Sequence, residues 1–181
     1  MNTNLEREYK VLLTMEQFEA LNEQQNQWVV VRQINTDYDT KDLQIRKQKG
    51  SMRIRERAGS FLFTLKLHQG DGLMEYEKLL PCNDVSALED SEIKELLKQF
   101  DIKEDIIAIT SLITDRAIVE TDVAEICFDH NFYNGHEDYE IEYEYKTAHQ
   151  GLAEFQKLLD PIHVTYEKNC TSKSKRAIQS L

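Results

Sequence analysis

Charged residues recur at every second position in several separate segments of this chain. Glu6, Glu8 and Lys10 do so near the amino terminus, Arg53 and Arg55 in the middle, Glu75 and Glu77 shortly after, and Glu140 and Glu142 late. An extended strand turns successive side chains to opposite faces, so each set shares one side of a strand. Apolar residues take the other side: Leu5, Tyr9, Val11 and Leu13; Met52 and Ile54; Phe61, Phe63, Leu65 and Leu67 behind Lys66; Ile141, Tyr143 and Tyr145. On an antiparallel sheet a charged row is ordinarily the solvated face. Here, however, arginines gather on one strand and glutamates on others, where an ordinary surface would mix the signs with Ser and Thr. If the rows line the inside of a barrel, like charges two residues apart repel unless an opposite charge sits between them. A divalent metal answers the glutamates, since Mg²⁺ and Mn²⁺ take carboxylate oxygens and are commonly completed by phosphates. A polyanion answers the arginines and lysines, because guanidinium forks match phosphate oxygens. The chemistry implied is the binding of a metal-bridged phosphate chain.

The elements that must position these residues follow from alternation and punctuation. After the first strand, Thr14-Met15-Glu16-Gln17 resembles a capping box and opens a helix to about Gln27. Strands are expected over Trp28 to Asp39, Ser51 to Arg57, Phe61 to Leu67, Leu73 to Leu80, Ile106 to Val119, Val123 to His130 and Tyr139 to Tyr145, with hairpin turns at Gly59-Ser60 and Gln69-Gly70-Asp71-Gly72. Helical spacing marks Ser91 to Phe100 and the segment holding Leu152, Phe155, Leu158 and Leu159, which Asp160-Pro161 ends. The expected fold is mainly β (α+β), about eight antiparallel strands closed into a barrel with a few flanking helices. Closure removes the exposed edges an open sheet must protect.

Composition narrows the partners. The chain of 181 residues is 40% apolar, enough for one domain, expected to span 1–181, with a core of its own. Its formal charge of -11 argues against general affinity for a nucleic acid polymer or an anionic membrane. Cys82, Cys127 and Cys170 lack paired spacing and read as reduced, structural thiols, and the five histidines show no metal-ligand spacing. Without an apolar targeting segment, a cytoplasmic protein is expected, and Asn169-Cys170-Thr171 matches a glycosylation acceptor only by pattern. Oligomeric state is not legible.

Taken in order, these residues resemble the CYTH domain proteins, also called triphosphate tunnel metalloenzymes. Glu6-Arg7-Glu8-Tyr9-Lys10 is similar to the family's opening signature, Asp37-Tyr38-Asp39-Thr40 to its Tyr-x-Asp-Thr stretch, Arg53-Ile54-Arg55 to its paired arginines and Thr64-Leu65-Lys66 to its next basic strand. Arg116, Asp129 and Glu140-Ile141-Glu142 continue in the family's order. The resemblance covers nearly the whole chain and implies an eight-stranded tunnel that binds triphosphates and divalent metal. One departure is Thr114, where many bacterial relatives carry a basic residue alongside the position of Arg116. A lysine near the carboxyl terminus reaches the tunnel in some members, a place open here to Lys173 or Lys175.

The roles so implied are metal binding by Glu6, Glu8, Glu140 and Glu142, with Asp129 joining them or pairing with a cation. Lys10, Arg53, Arg55, Lys66, Arg116 and Lys173 or Lys175 would hold phosphates. Glu75 and Glu77 would orient the attacking water or pair with basic side chains. The implied activity is hydrolysis of a triphosphate, inorganic triphosphate being simplest, with Mg²⁺ or Mn²⁺. An adenylate cyclase, a triphosphate-binding regulatory module and a purely structural polar barrel are the other readings of the same residues.

Overall fold

The computed structural model describes residues 1–5, 7–24, 29–69 and 72–181. Expectations that fall on Glu6, on residues 25–28 and on the Gly70-Asp71 turn lie outside these residues. The capping box forms as read: the Thr14 N–H donates to Gln17 Oε1 at 2.9 Å and the Gln17 N–H to Thr14 Oγ1 at 3.2 Å, opening helix α1, Met15–Gln24.

The strands are β1 Asn2–Leu5, β2 Glu8–Leu13, β3 Val30–Thr40, β4 Ser51–Arg57, β5 Ser60–Gln69, β6 Gly72–Leu80, β7 Ile106–Glu120, β8 Ala124–Tyr133 and β9 His136–Tyr145. They form one antiparallel sheet in the order β1-β6-β5-β4-β3-β7-β8-β9-β2. Its two outermost strands, β1 and β2, are consecutive in the chain, with residues 6 and 7 between them. The amino-terminal segment therefore joins both edges of the sheet. Eight strands were expected and nine are observed, because the expected first strand is present in two parts, β1 and β2, one at each edge of the sheet.

Two strands run further than the alternation suggested. β8 continues to Tyr133 and β9 starts at His136, joined by Asn134 and Gly135 at φ 47° and 78°. Asn-Gly is the pair that best tolerates positive φ at both central positions of a tight hairpin. Three helical pieces were not expected from sequence: α2 Gln44–Lys47, a 3₁₀ turn Val85–Glu89, and α5 Lys173–Gln179. The other helices are α3 Ser91–Gln99 and α4 Gly151–Leu159, the latter leading into a 3₁₀ turn Asp160–Ile162.

The apolar faces of the strands point outward, under helices. Ile54, Phe63, Leu65 and Leu67 pack with Ile93, Leu96 and Leu97 of α3, while Val11, Leu13, Phe128 and Ile141 pack with Leu21 of α1 and with Phe155 and Leu159 of α4. The charged faces are not the solvated ones: Asp129 and Glu140 are fully buried. Both sides of the wall are thus covered, one apolar and one polar.

Asp90 fixes α3 against this wall. Its carboxylate accepts the Glu92 and Ile93 N–H groups at 3.0 and 3.3 Å and the Lys78 ammonium at 2.6 Å. Loss of an N-cap of this type costs about 0.5–2 kcal/mol, so Asp90→Ala should lower the melting temperature by roughly 2–6 °C in a scan of the purified protein. The Lys78 hydrogen bond holds the Asp90 carboxyl below its ordinary value of 3.8. This contribution should therefore be complete at neutral pH and fade as pH falls through the depressed folded value, removing the difference between the two proteins in acid.

Candidate functional site

Inward parity decides which side chains meet. Across β7, β8 and β9, Arg116 lies opposite Asp129 and Asp129 opposite Glu140. Glu142 is two residues along the same face and opposite Lys10 of β2. On the other wall, Asn35 lies opposite Arg55, Asp37 opposite Arg53, Arg53 opposite Thr64 and Lys66 opposite Glu75. Acidic and basic walls thus face one interior.

Three carboxylates, from Asp129, Glu140 and Glu142, present ligand atoms that all lie within 4.8 Å of one another. The chain's own cations engage them. Arg116 donates to Asp129 from Nε at 2.7 Å and from Nη2 at 2.6 Å, and the same Nη2 reaches Glu142 Oε2 at 2.7 Å. Lys173 of α5 places its ammonium among all three, 2.8 Å from Asp129 Oδ2, 2.5 Å from Glu142 Oε1 and bonded to Glu140 Oε1. Arg176, one turn on, binds Asp138 at 2.8 and 3.1 Å and Glu140 Oε2 at 2.7 Å.

Burial pushes the Glu140 carboxyl up, aided by the neighbouring Glu142 charge and opposed by Lys173, to about 7. Burial acts on Glu142 too, but Lys173 and Arg116 together hold it well below the ordinary range. One of two adjacent acids is thus poised to keep a proton that the other has surrendered.

The basic wall is less well compensated. The Arg55 Nε–H donates to Asn35 Oδ1 at 3.1 Å, and burial, then repulsion from Arg53 and Arg116, pull its guanidinium down to about 9. Buried polar atoms without a hydrogen-bond partner include Arg53 Nε, Thr64 Oγ1, Thr110 Oγ1 and Asp37 Oδ2. These four residues are direct cross-strand neighbours, Thr110 to Asp37 to Arg53 to Thr64. Arg53 Nε and the two threonine hydroxyls can donate to an anion with several oxygens, whereas Asp37 Oδ2 only accepts and calls for a donor or a cation.

The structure distributes the sequence-derived candidates unevenly. Asp129, Glu140, Glu142, Arg116 and Lys173 come together. Lys10 stands beside them and pairs with Glu8, Nζ to Oε1 at 2.5 Å. Arg53 and Arg55 occupy the opposing wall, as does Lys66, 3.6 Å from the buried Glu75. Glu77 lies opposite Thr64 on the same inward face. Lys175 is exposed and stays out of the interior, so of the two carboxyl-terminal lysines it is Lys173 that enters. In place of the basic side chain at position 114, the Thr114 hydroxyl bonds the buried Asn131 at 2.7 Å.

Sequence reading missed Arg176 and Asp138. The signal for Arg176 was its i+3 spacing from Lys173, legible only once residues 173–179 are taken as a helix. Asn169, read as a chance glycosylation pattern, accepts the Lys10 N–H at 2.8 Å and donates to the Glu8 carbonyl at 3.1 Å, tying the carboxyl-terminal segment to β2.

Three carboxylates of hard oxygen donors, with further acids near by, fit Mg²⁺ or Mn²⁺ in donor type. No helix among the described residues is long and apolar enough to cross a membrane.

Comparison with known proteins agrees with this geometry. The CYTH domain family model matches residues 4–176. YjbK of Bacillus subtilis (strain 168), provisionally named a triphosphatase, is 31% identical over 170 residues, covering 91% of this chain and 90% of that protein. A crystal structure from Bacillus halodurans, provisionally named an adenylate cyclase, superposes with a TM-score of 0.87 at 31% identity over 97% of this chain and 98% of its own. HpAC1 from Hippeastrum, described as having a dominant triphosphatase activity, shares the fold with a TM-score of 0.74 at 18% identity, over 97% of this chain and 95% of its own. Motif order, barrel connectivity and a family match over nearly the whole length make this chain a member of the CYTH domain family.

Proposed function

We propose that this protein is a single-domain, cytoplasmic, metal-dependent triphosphatase acting on a small triphosphate inside its barrel, inorganic triphosphate first among candidates. The observation that carries the reading is the confrontation of the Asp129–Glu140–Glu142 cluster with the Arg53–Arg55 wall across one polar interior. The triphosphatase name of YjbK supports it. The net charge of -11 makes nucleic acid polymers and anionic membranes poor partners.

Asp129, Glu140 and Glu142, with Glu8 and Glu6, are the residues that would hold Mg²⁺ or Mn²⁺. Bound there, the metal supplies charge neutralisation at phosphate oxygens. Lys10, Arg53, Arg55, Lys66 and Arg116 hold the phosphate chain and stabilise negative charge as it moves to the leaving oxygen. Water attacks the terminal phosphorus in line, the bridging P–O bond breaks, and orthophosphate and pyrophosphate result. Glu75 and Glu77, opposite Lys66 and Thr64, would orient that water and accept its proton.

Phosphorus NMR with tripolyphosphate, ATP and thiamine triphosphate, each with Mg²⁺ or Mn²⁺, tests this. Orthophosphate with pyrophosphate from tripolyphosphate is expected, abolished by EDTA. Cyclic AMP with pyrophosphate from ATP would replace the reading with the cyclase. Shifted substrate signals without any product would make the protein a binding module.

A further inference from the structure

Lys173 occupies the centre of the proposed metal site. Its ammonium lies against Asp129, Glu140 and Glu142, the same three carboxylates whose oxygens are close enough to share one ion. An ammonium and a divalent cation drawn to those oxygens compete for the same space and charge.

The neighbouring contacts hold the helix without help from the ammonium. The Arg46 guanidinium donates to Ser174 Oγ at 2.6 Å, and the Asn134 amide donates to the Ala177 carbonyl at 2.7 Å and to Ser180 Oγ at 2.9 Å. Arg176 adds its pairs to Asp138 and Glu140, and Ala177 is fully buried. Helix α5 is therefore pinned along its length by contacts that do not involve Lys173. A lysine side chain on a fixed helix can swing several ångströms about its own torsions.

We propose that Lys173 is an internal placeholder cation, exchanged for the divalent metal. In the metal-free protein it joins Arg116 and Arg176 in neutralising two buried acids and a half-buried one that would otherwise repel. On metal entry its ammonium leaves the carboxylates and becomes one more cation for the phosphate chain. This rests on the metal-site assignment made above for the triphosphatase, and it concerns how that site is loaded.

The test is Mn²⁺ binding without any triphosphate, by titration calorimetry and by Mn²⁺-dependent thermal shift, on wild type, Lys173→Met and Lys175→Met. Lys175 is exposed on the same helix and carries the same charge, so its variant reports the bulk electrostatic effect. Lys173→Met should bind Mn²⁺ about 10-fold more tightly than wild type, melt lower without metal and gain more from it, whereas Lys175→Met should change affinity by less than about 2-fold. Lys173→Gln, which keeps a donor beside the carboxylates, serves if Met lowers the yield of folded protein and should tighten binding in the same direction. Equal or weaker Mn²⁺ binding in the Lys173 variants overturns the exchange, as does equal tightening in Lys175→Met. Mn²⁺ binding by none of these proteins overturns the metal site and the exchange together. Tighter binding in Lys173→Met with no triphosphate turnover in wild type would uphold the exchange and defeat the hydrolase reading alone.

Discussion

Replacing Glu142 by Gln should lower kcat for tripolyphosphate by about 10³-fold or more, the loss of roughly 4 kcal/mol of transition-state stabilisation. Lys173 and Arg116 hold the Glu142 carboxyl well below its ordinary range, so it offers an anionic oxygen in neutral solution. Gln keeps the shape and a carbonyl oxygen but removes the charge. The fold should survive, because Arg116 retains both bonds to Asp129 and Lys173 retains Asp129 and Glu140. Steady-state kinetics beside a melting curve separates the two effects. A variant with more than a tenth of wild-type kcat would remove Glu142 from the metal set.

The same pair sets a pH dependence. Glu140 has a folded value of about 7 against an ordinary 4.5. A carboxyl raised in this way is unpenalised below 4.5, and its stability contribution is lost as pH rises through 7. The metal-free protein should therefore melt progressively lower between about pH 5 and 8. Mn²⁺ affinity should rise over the same interval, since the proton it must displace leaves unaided.

Arg55→Met should have opposite effects on activity and stability. The value of kcat/KM for tripolyphosphate is expected to fall about 10²-fold or more, since a charge-assisted contact to phosphate is lost from a buried site. The metal-free, ligand-free protein should nevertheless be as stable as wild type or melt a few degrees higher. Burial and the charges of Arg53 and Arg116 disfavour the Arg55 guanidinium, and replacing a poorly compensated buried charge by an apolar side chain of similar length is often neutral or stabilising by about 1–4 kcal/mol. Arg32→Met is the control. Arg32 pairs with Asp115 on the exposed side of the sheet at 2.7 and 2.8 Å, and its loss should change kcat/KM by less than about 2-fold. A large drop in the stability of Arg55→Met would mean that the guanidinium holds the barrel together rather than awaiting an anion.

Much of the site was legible before any fold was known, because strand alternation is a local property. A period of two puts Lys10 and Glu8 on one face, Arg53 and Arg55 on one face, and Glu140 and Glu142 on one face whatever the rest of the chain does. The same applies to α1, whose capping box needs only Thr14 and Gln17. The ends of β8 and β9 were less legible, since Phe132 and Tyr133 break the charge alternation, and the Asn134-Gly135 turn between them was passed over.

Sequence by itself determined which side chains share a face, the antiparallel barrel class and the family, because those depend on neighbours in the chain and on the order of motifs. Only the tertiary structure decided that the charged faces turn inward, since an amphipathic strand has two faces and the one that meets helices is settled by packing. It also decided that Lys173 rather than Lys175 enters the barrel, and that Arg176 joins it. Those choices bring α5 against strands about 30 or more residues earlier in the chain, where no local pattern specifies the partner and the pairing follows from where buried carboxylates need cations.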